Sequence, residues 1–201
     1  YFRSDAKTLK LNFDIDYQGM LQEAISLKDR YVTHRLGEYG HKGWKSLCLH
    51  GISETHTLAW MSYGYKSSVE AGNASKWTEI SEQCPITMNF INTQFPSKKF
   101  ARVRFMLLEA GGYIGEHSDS SIPILEHINI SLSNHKDCIW KWGDGDTFFM
   151  EPGSAHAMNI HYPHSVYNNS NEDRYHLIIH RLDSTDEWKQ MINTACEEQG
   201  I

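Results

Sequence analysis

Arg102-Val103-Arg104-Phe105-Met106-Leu107-Leu108 and, past Ala110-Gly111-Gly112, Tyr113-Ile114-Gly115-Glu116-His117-Ser118-Asp119 form the stretch that decides the reading of this chain. Both pieces read as strands, with Ala110-Gly111-Gly112 as the turn between them. Side chains alternate with period two along an extended segment, so His117 and Asp119 project from one face. A histidine far downstream can complete two imidazoles and one carboxylate on one side of a metal, and Pro163-His164-Ser165 offers it. That donor set suits non-haem Fe(II), with the remaining positions open to a co-substrate and O2. Arg174 stands ten residues after His164. Its planar fork of donors can clamp a dicarboxylate bidentately. His-x-Asp alone says little in a chain with twelve histidines; the ordered set of His-x-Asp, distant His and Arg is the specific signal.

Short strand patterns continue on both sides. His127 to Ser133 alternates polar residues with Ile128, Ile130 and Leu132. Asp137 to Trp142, the turn Gly143-Asp144-Gly145 and Thr147 to Glu151 read as a hairpin. Ala155 to His161, Ser165 to Asn168 and Tyr175 to Arg181 are further strands. Many short strands with regular turns make a mainly β sandwich or barrel over residues 100–182. Ahead of it, residues 1–99 read as a helical and loop region. Phe2 to Phe13 is an irregular start plus a short strand, and Asp14 or Asp16 caps a helix to about Leu36. Trp44 to Ile52 is a strand. Ser53 to Lys76 is a long polar loop, either a substrate wall or plain surface. Pro85 starts a helix that Pro96 ends. Residues 183–201 form a C-terminal helix opened by the capping box Ser184-x-x-Glu187. At 201 residues the whole chain reads as a single domain, 1–201.

Composition narrows the function classes. The net charge is −6 with no basic block, so there is no footprint for nucleic acid. Apolar runs fall far short of a membrane span, and no signal-peptide pattern opens the chain. With no initiating Met, Tyr1 looks like a trimmed start. Cys48, Cys84, Cys138 and Cys196 form no CxxC pair and read as reduced thiols, so a cytoplasmic location is expected. The oligomeric state is not written in the sequence.

Two blocks of residues resemble the aspartyl/asparaginyl β-hydroxylase family of Fe(II)/2-oxoglutarate-dependent oxygenases, most nearly its bacterial proline cis-4-hydroxylase-like branch. One runs from Arg102-Val103-Arg104-Phe105-Met106 to Glu116-His117-Ser118-Asp119. The other runs from Met150-Glu151-Pro152-Gly153 through Pro163-His164-Ser165-Val166 to Asp173-Arg174-Tyr175-His176-Leu177. The resemblance spans residues 100 to 180 and implies a double-stranded β-helix, the cupin-like jelly roll, with flanking N-terminal helices and a C-terminal helix. It implies iron ligands His117, Asp119 and His164, with Arg174 on the distal carboxylate of 2-oxoglutarate. His161 is the rival to His164, which has the family's Pro-His-Ser context and spacing to Arg174. Where the family usually carries Arg-x-His near the 1-carboxylate, this chain has His127 and Asn129; Asn129 can still donate a hydrogen bond. Retention of Asp119 favours hydroxylation over halogenation.

The implied cofactors are Fe(II), 2-oxoglutarate and O2, with ascorbate helping in vitro. The implied reaction hydroxylates an unactivated C–H of a small amino acid or amino-acid-like metabolite and releases succinate and CO2. Candidate substrate contacts are Arg104, Asn159 and Trp140. Each has a plainer reading: a structural ion pair, a hydrogen bond that closes the sheet, and packing. His156, His161, His176 and His180 read as solvent-facing or hydrogen-bonded. The competing functions are a peptidyl Asp/Asn-type β-hydroxylase and a non-enzymatic cupin-like metal- or ligand-binding protein. Hydroxylation of a lipid acyl chain would need an apolar membrane-facing surface, and no segment clearly supplies one.

Overall fold

A computed structural model describes residues 4–201; Phe2 and Arg3, where the irregular start was expected, lie outside the described residues. The chain runs β1 (Thr8–Leu11), α1 (Tyr17–Ser26), β2 (Val32–Thr33), β3 (His41–Gly51), α2 (Ser68–Ala74) and β4 (Lys76–Trp77). It continues through α3 (Pro85–Thr93), β5 (Phe100–His117), β6 (His127–Ser131), β7 (Cys138–Trp142) and β8 (Thr147–Phe148). Last come β9 (Ala155–Met158), β10 (His164–Asn168), β11 (Arg174–Arg181) and α4 (Asp186–Gln199).

All pairings among the described strands are antiparallel, in the order β1-β9-β6-β11-β5-β10-β7-β8, with β3 beside β5 and β2 and β4 on β3. β5 is the spine. Its first half pairs with β11, with Arg102 opposite His180, Arg104 opposite Ile178 and Leu108 opposite Arg174. Its far end pairs with β10, with His117 opposite His164 and Ile114 opposite Val166. One strand therefore serves two parts of a curled sheet, which folds over across it as a double-stranded β-helix.

The expected turn at Ala110-Gly111-Gly112 is not a turn. β5 continues through it without reversing. Gly111 adopts φ +70, and a Cβ on Gly112 would sit 2.7 Å from Lys42 O. The two glycines thus let β5 bend and β3 approach closely, a use of glycine within a strand rather than between strands. Further on, three steps of β5 from Ile114 to His117 face two steps of β10 from Val166 to His164. The extra residue is a β-bulge, which resets which side chains face inward.

Alternation along the spine divides core from cavity. Val103, Phe105 and Leu107 on β5 and Leu177 and Ile179 on β11 join Ile128 and Ile130 of β6 in the main core. Met20 and Ala24 of α1, Phe90 and Ile91 of α3, and Trp188 and Ile192 of α4 pack into the same cluster. Each such large side chain contributes roughly 1.5–3 kcal/mol. The opposite face of the same strands carries arginines and histidines.

Several boundaries differ from expectation. α1 stops at Ser26, and only a 3-10 turn, Lys28–Arg30, follows it. The chain then extends, because buried His34 bonds Ser46 Oγ of β3 through Nδ1 at 2.9 Å. Asp16 is the cap, accepting from Gly19 N at 2.9 Å. Ser53 to Lys76 holds a 3-10 turn at Trp60–Tyr63 as well as α2. Thr185, not Ser184, caps α4, accepting from Trp188 N at 3.1 Å. At α3 the Glu23 carboxylate takes Ile86 N at 2.6 Å and Thr87 N at 3.0 Å. Among the described residues no helix is long and apolar enough to cross a membrane.

Candidate active site

His117 closes β5, Asp119 lies two residues beyond it, and His164 opens β10 directly opposite His117. The Asp119 N–H donates to Ile160 O at 2.9 Å, which fixes the chain just past the strand. Asp119 Oδ2 is 3.4 Å from His117 Nε2 and 4.0 Å from His164 Nε2. One donor atom from each of the three residues lies within 4.8 Å of the others.

The histidine tautomers are set by the backbone. His117 Nδ1 meets Gly115 O at 2.8 Å, and His164 Nδ1 meets Tyr162 O at 2.9 Å. A carbonyl only accepts, so each Nδ1 carries the proton and each Nε2 presents its lone pair. This is how metal-binding imidazoles are oriented. Aromatic rings back both of them: Tyr39 stacks on His117 with centroids 4.4 Å apart, and Trp140 lies nearly parallel to His164 at 4.8 Å.

Burial disfavours the Asp119 anion, but the His117 hydrogen bond, the adjacent imidazoles and the Tyr39 hydroxyl outweigh it and hold the carboxyl well below its usual range. Burial also disfavours a charged His117, but the charged ring donates a second proton, on Nε2, to Asp119, and that bond leaves His117 raised; loss of that proton frees the Nε2 lone pair. Burial dominates at His164, which is lowered. Two imidazole lone pairs and an ionised carboxylate converging on one point fit a divalent iron.

The three residues open onto a cavity of about 330 Å³. Arg35, Arg102, Arg104 and Arg174 line it, against the carboxylates of Asp119 and Glu38. Glu38 is taken by Arg35 at 3.0 Å. Arg104 is buried, and its Nε and Nη1 have no hydrogen-bond partner among the described residues. Arg174 is 3% exposed and makes no ion pair with any carboxylate among the described residues. Removing a cation from water without a partner costs several kcal/mol. The cavity is therefore built for anions at two levels. Arg174 and Arg104 face Leu108 and Ile178 in the β5–β11 register, four residues apart along β11, or roughly 13 Å.

His127 Nδ1 and His180 Nε2 lie 2.9 Å apart. Burial lowers both, His127 to about 4, so the pair is neutral and shares one proton-bearing nitrogen. Asn129 Nδ2 reaches His127 O at 3.4 Å, and both residues line the cavity.

Of the residues singled out from sequence, His117, Asp119, His164, Arg174, His127, Asn129, Arg104 and Trp140 line this one cavity. Asn159 does not. Its amide donates to Ser4 O at 2.9 Å and Ala6 O at 3.0 Å, pinning the entering segment beside β9. His161 Nδ1 sits 3.1 Å from Ser120 O, away from the donor set. His176 and His180 are not solvent-facing; period two on β11 turns them inward with Arg174. Sequence reasoning passed over Arg102, although it stands two residues from Arg104 on a strand and shares its face. It also missed Tyr39 and Arg35, for which no local pattern exists, because the β2–β3 connection reaches the site only through the fold. From Ser53 to Lys76, Ala59 contributes to the cavity wall.

Among curated proteins, none matches the sequence. Solved structures share the fold. An oxidoreductase of the 2OG-Fe(II) oxygenase family from Burkholderia pseudomallei superposes with a TM-score of 0.55 at 12% identity, covering 88% of this chain and 85% of that one. A prolyl hydroxylase from Trichoplax adhaerens, in complex with a hypoxia inducible factor peptide fragment, gives 0.50 at 13% identity, covering 94% and 87%. The family model for aspartyl/asparaginyl beta-hydroxylase matches residues 15–183, which takes in the helical region as well as the sheet. The chain accordingly belongs to the aspartyl/asparaginyl β-hydroxylase family and is a 2-oxoglutarate-dependent oxygenase.

Proposed function

We propose that this enzyme hydroxylates an unactivated C–H of a small amino acid or amino-acid-like metabolite, with His117, Asp119 and His164 holding Fe(II). The observation that carries the reading is a buried guanidinium, Arg174, which has no carboxylate partner among the described residues and lies in the same cavity as those three donors. Arg174 binds the distal carboxylate of 2-oxoglutarate by its planar fork. Asn129 and the neutral His127–His180 pair offer N–H donors toward the keto-acid end. Bound there, iron and 2-oxoglutarate supply the oxidising chemistry, with O2 consumed and succinate and CO2 released.

The rest of the cavity concerns substrate. Arg104, joined by Arg102, receives a substrate carboxylate, since 2-oxoglutarate already satisfies Arg174. The Trp140 indole N–H, buried and without a partner among the described residues, offers a further donor at the wall. A cavity of about 330 Å³ has room for little more than a metabolite beside the co-substrate. The four free, buried thiols support a reducing compartment.

The test is succinate release under Fe(II), ascorbate and 2-oxoglutarate across free amino acids, short peptides and acyl compounds, with His117→Ala as control. Stimulation by one free amino acid, lost in the variant, is expected. Stimulation by peptides alone moves the assignment to a peptidyl β-hydroxylase, the arm favoured by the peptide bound to the Trichoplax enzyme. No turnover and no 2-oxoglutarate binding by iron-loaded protein leaves a cupin-like binding protein.

A further inference from the structure

Residues 34–40, between β2 and β3, are held in an unusual conformation. Arg35 has φ 53 and Tyr39 has φ 54, left-handed values that residues with a Cβ rarely adopt. Such conformations persist where surrounding contacts over-determine them. Here the contacts are explicit. Glu38 N donates to Arg35 O at 2.9 Å, and His41 Nε2 meets that same oxygen at 3.1 Å. Gly115 N donates to Gly40 O at 2.6 Å, and a Cβ on Gly115 would fall 2.7 Å from that oxygen. Gly115 thus joins the loop through its N–H and His117 Nδ1 through its carbonyl.

This clamp brings Tyr39 to the donor set. Its hydroxyl donates to Asp119 Oδ1 at 3.0 Å, and its ring stacks on His117. The other oxygen, Oδ2, is the one nearest both Nε2 atoms. We infer that Tyr39 is a positioning residue for the metal's carboxylate: by occupying Oδ1 it leaves Asp119 only Oδ2 to offer, and so fixes a one-oxygen ligand. A carboxylate free to bind through both oxygens would take a coordination position that the co-substrate needs. The inference rests on the proposed ligand set, and the experiment separates the two.

The measurement is Co(II) titration of metal-free protein, followed by the visible d–d absorption and needing no turnover. Tyr39→Phe keeps the ring and removes only the hydroxyl. It is expected to weaken Co(II) binding about 10-fold and to lower the d–d intensity as the coordination number rises, with the metal-free melting temperature unchanged. Tyr39→Leu removes the stacking as well and should weaken binding further. A Tyr39→Phe protein with wild-type affinity and a superimposable spectrum overturns the inference while leaving the ligand set standing. Wild-type protein that takes up no Co(II), or His117→Ala that takes it up normally, overturns the ligand set and the role of Tyr39 with it.

Discussion

His117 and His164 carry the same hydrogen bond: each Nδ1 meets the carbonyl oxygen two residues earlier, Gly115 at 2.8 Å and Tyr162 at 2.9 Å. The two strands are thus not only carriers of the imidazoles but also fix their protonation. Gly115→Ala tests this without touching a donor. Its new Cβ would meet Gly40 O at 2.7 Å, and backbone cannot step aside as a side-chain end can. The variant should lose about 1–3 kcal/mol of stability and bind Fe(II) or Co(II) more weakly. Urea melts and metal titration read the two effects separately. Wild-type values in both would show that the β2–β3 loop is free to move away.

Arg174→Met should separate stability from binding. The guanidinium is buried without an ion-pair partner among the described residues. Its replacement should leave the ligand-free protein equally stable or more so, by on the order of 1 kcal/mol. Affinity for 2-oxoglutarate should fall by roughly 30-fold or more. Calorimetric binding and a thermal melt decide it; a destabilised variant with unchanged affinity would make Arg174 structural.

For Arg104→Gln the expected pattern is different again. With the proposed co-substrate on Arg174, uncoupled 2-oxoglutarate turnover should survive, while the KM for the amino acid should rise by roughly 30-fold or more. Equal loss of coupled and uncoupled succinate formation would place Arg104 on 2-oxoglutarate instead.

Acid should unfold the metal-free protein through its histidines. Burial lowers His127 and His156 to about 4 and His56 to about 3, below the ordinary value near 6.5. Between those values the unfolded chain binds protons that the native chain refuses. The stability from these groups is therefore complete above about pH 6.5 and drains away as pH falls toward 4. Each fully effective histidine adds a slope of about 1.4 kcal/mol per pH unit. Urea midpoints at pH 7, 6 and 5 should fall steadily; a flat profile would mean that these rings are already charged in the native state.

Glu23→Ala addresses the scaffold alone. One carboxylate accepts from Ile86 N, Thr87 N and Thr87 Oγ1 at 2.6, 3.0 and 2.7 Å, at the start of a helix whose Cys84 N-cap supplies no side-chain bond. Losing it should cost about 2–3 kcal/mol. Metal affinity should not change, since the main core separates α3 from the cavity.

How far the sequence carried the structure depended on whether a signal was local. Period two was visible on β7, whose buried Cys138, Trp140 and Trp142 alternate with exposed residues, and on β6, where Ile128 and Ile130 alternate with polar side chains, although both faces of β6 and most of β11 are buried. His-x-Asp, His164 and Arg174 were visible because their order along the chain is itself the pattern, and the sheet brings all four to one cavity. The glycines at 111 and 112 misled: a close strand crossing and a reversal call for the same residue. The polar stretch from Ser53 to Lys76 hid α2, a helix whose only fully apolar buried member is Ala71. Asn159 looked like a site residue because a buried amide beside the ligand strand has the same composition whether it binds substrate or ties down Ser4 and Ala6. Tyr39 and Arg35 were beyond reach, since no spacing rule connects residue 39 to residue 119.

The bulge between Ile114 and His117 makes the site sensitive to chain length more than to identity. Because side chains alternate, taking out one residue there would swing the imidazole of His117 to the helix-covered side while leaving every pairing upstream intact. Core substitutions along β5, away from His117 and the arginines, should weaken the enzyme by degrees, whereas a single in-frame codon lost or gained within those three steps should abolish activity. Insertions and deletions in related chains should accordingly gather in the Ser53 to Lys76 stretch and in the hairpin turns, and spare this short segment altogether.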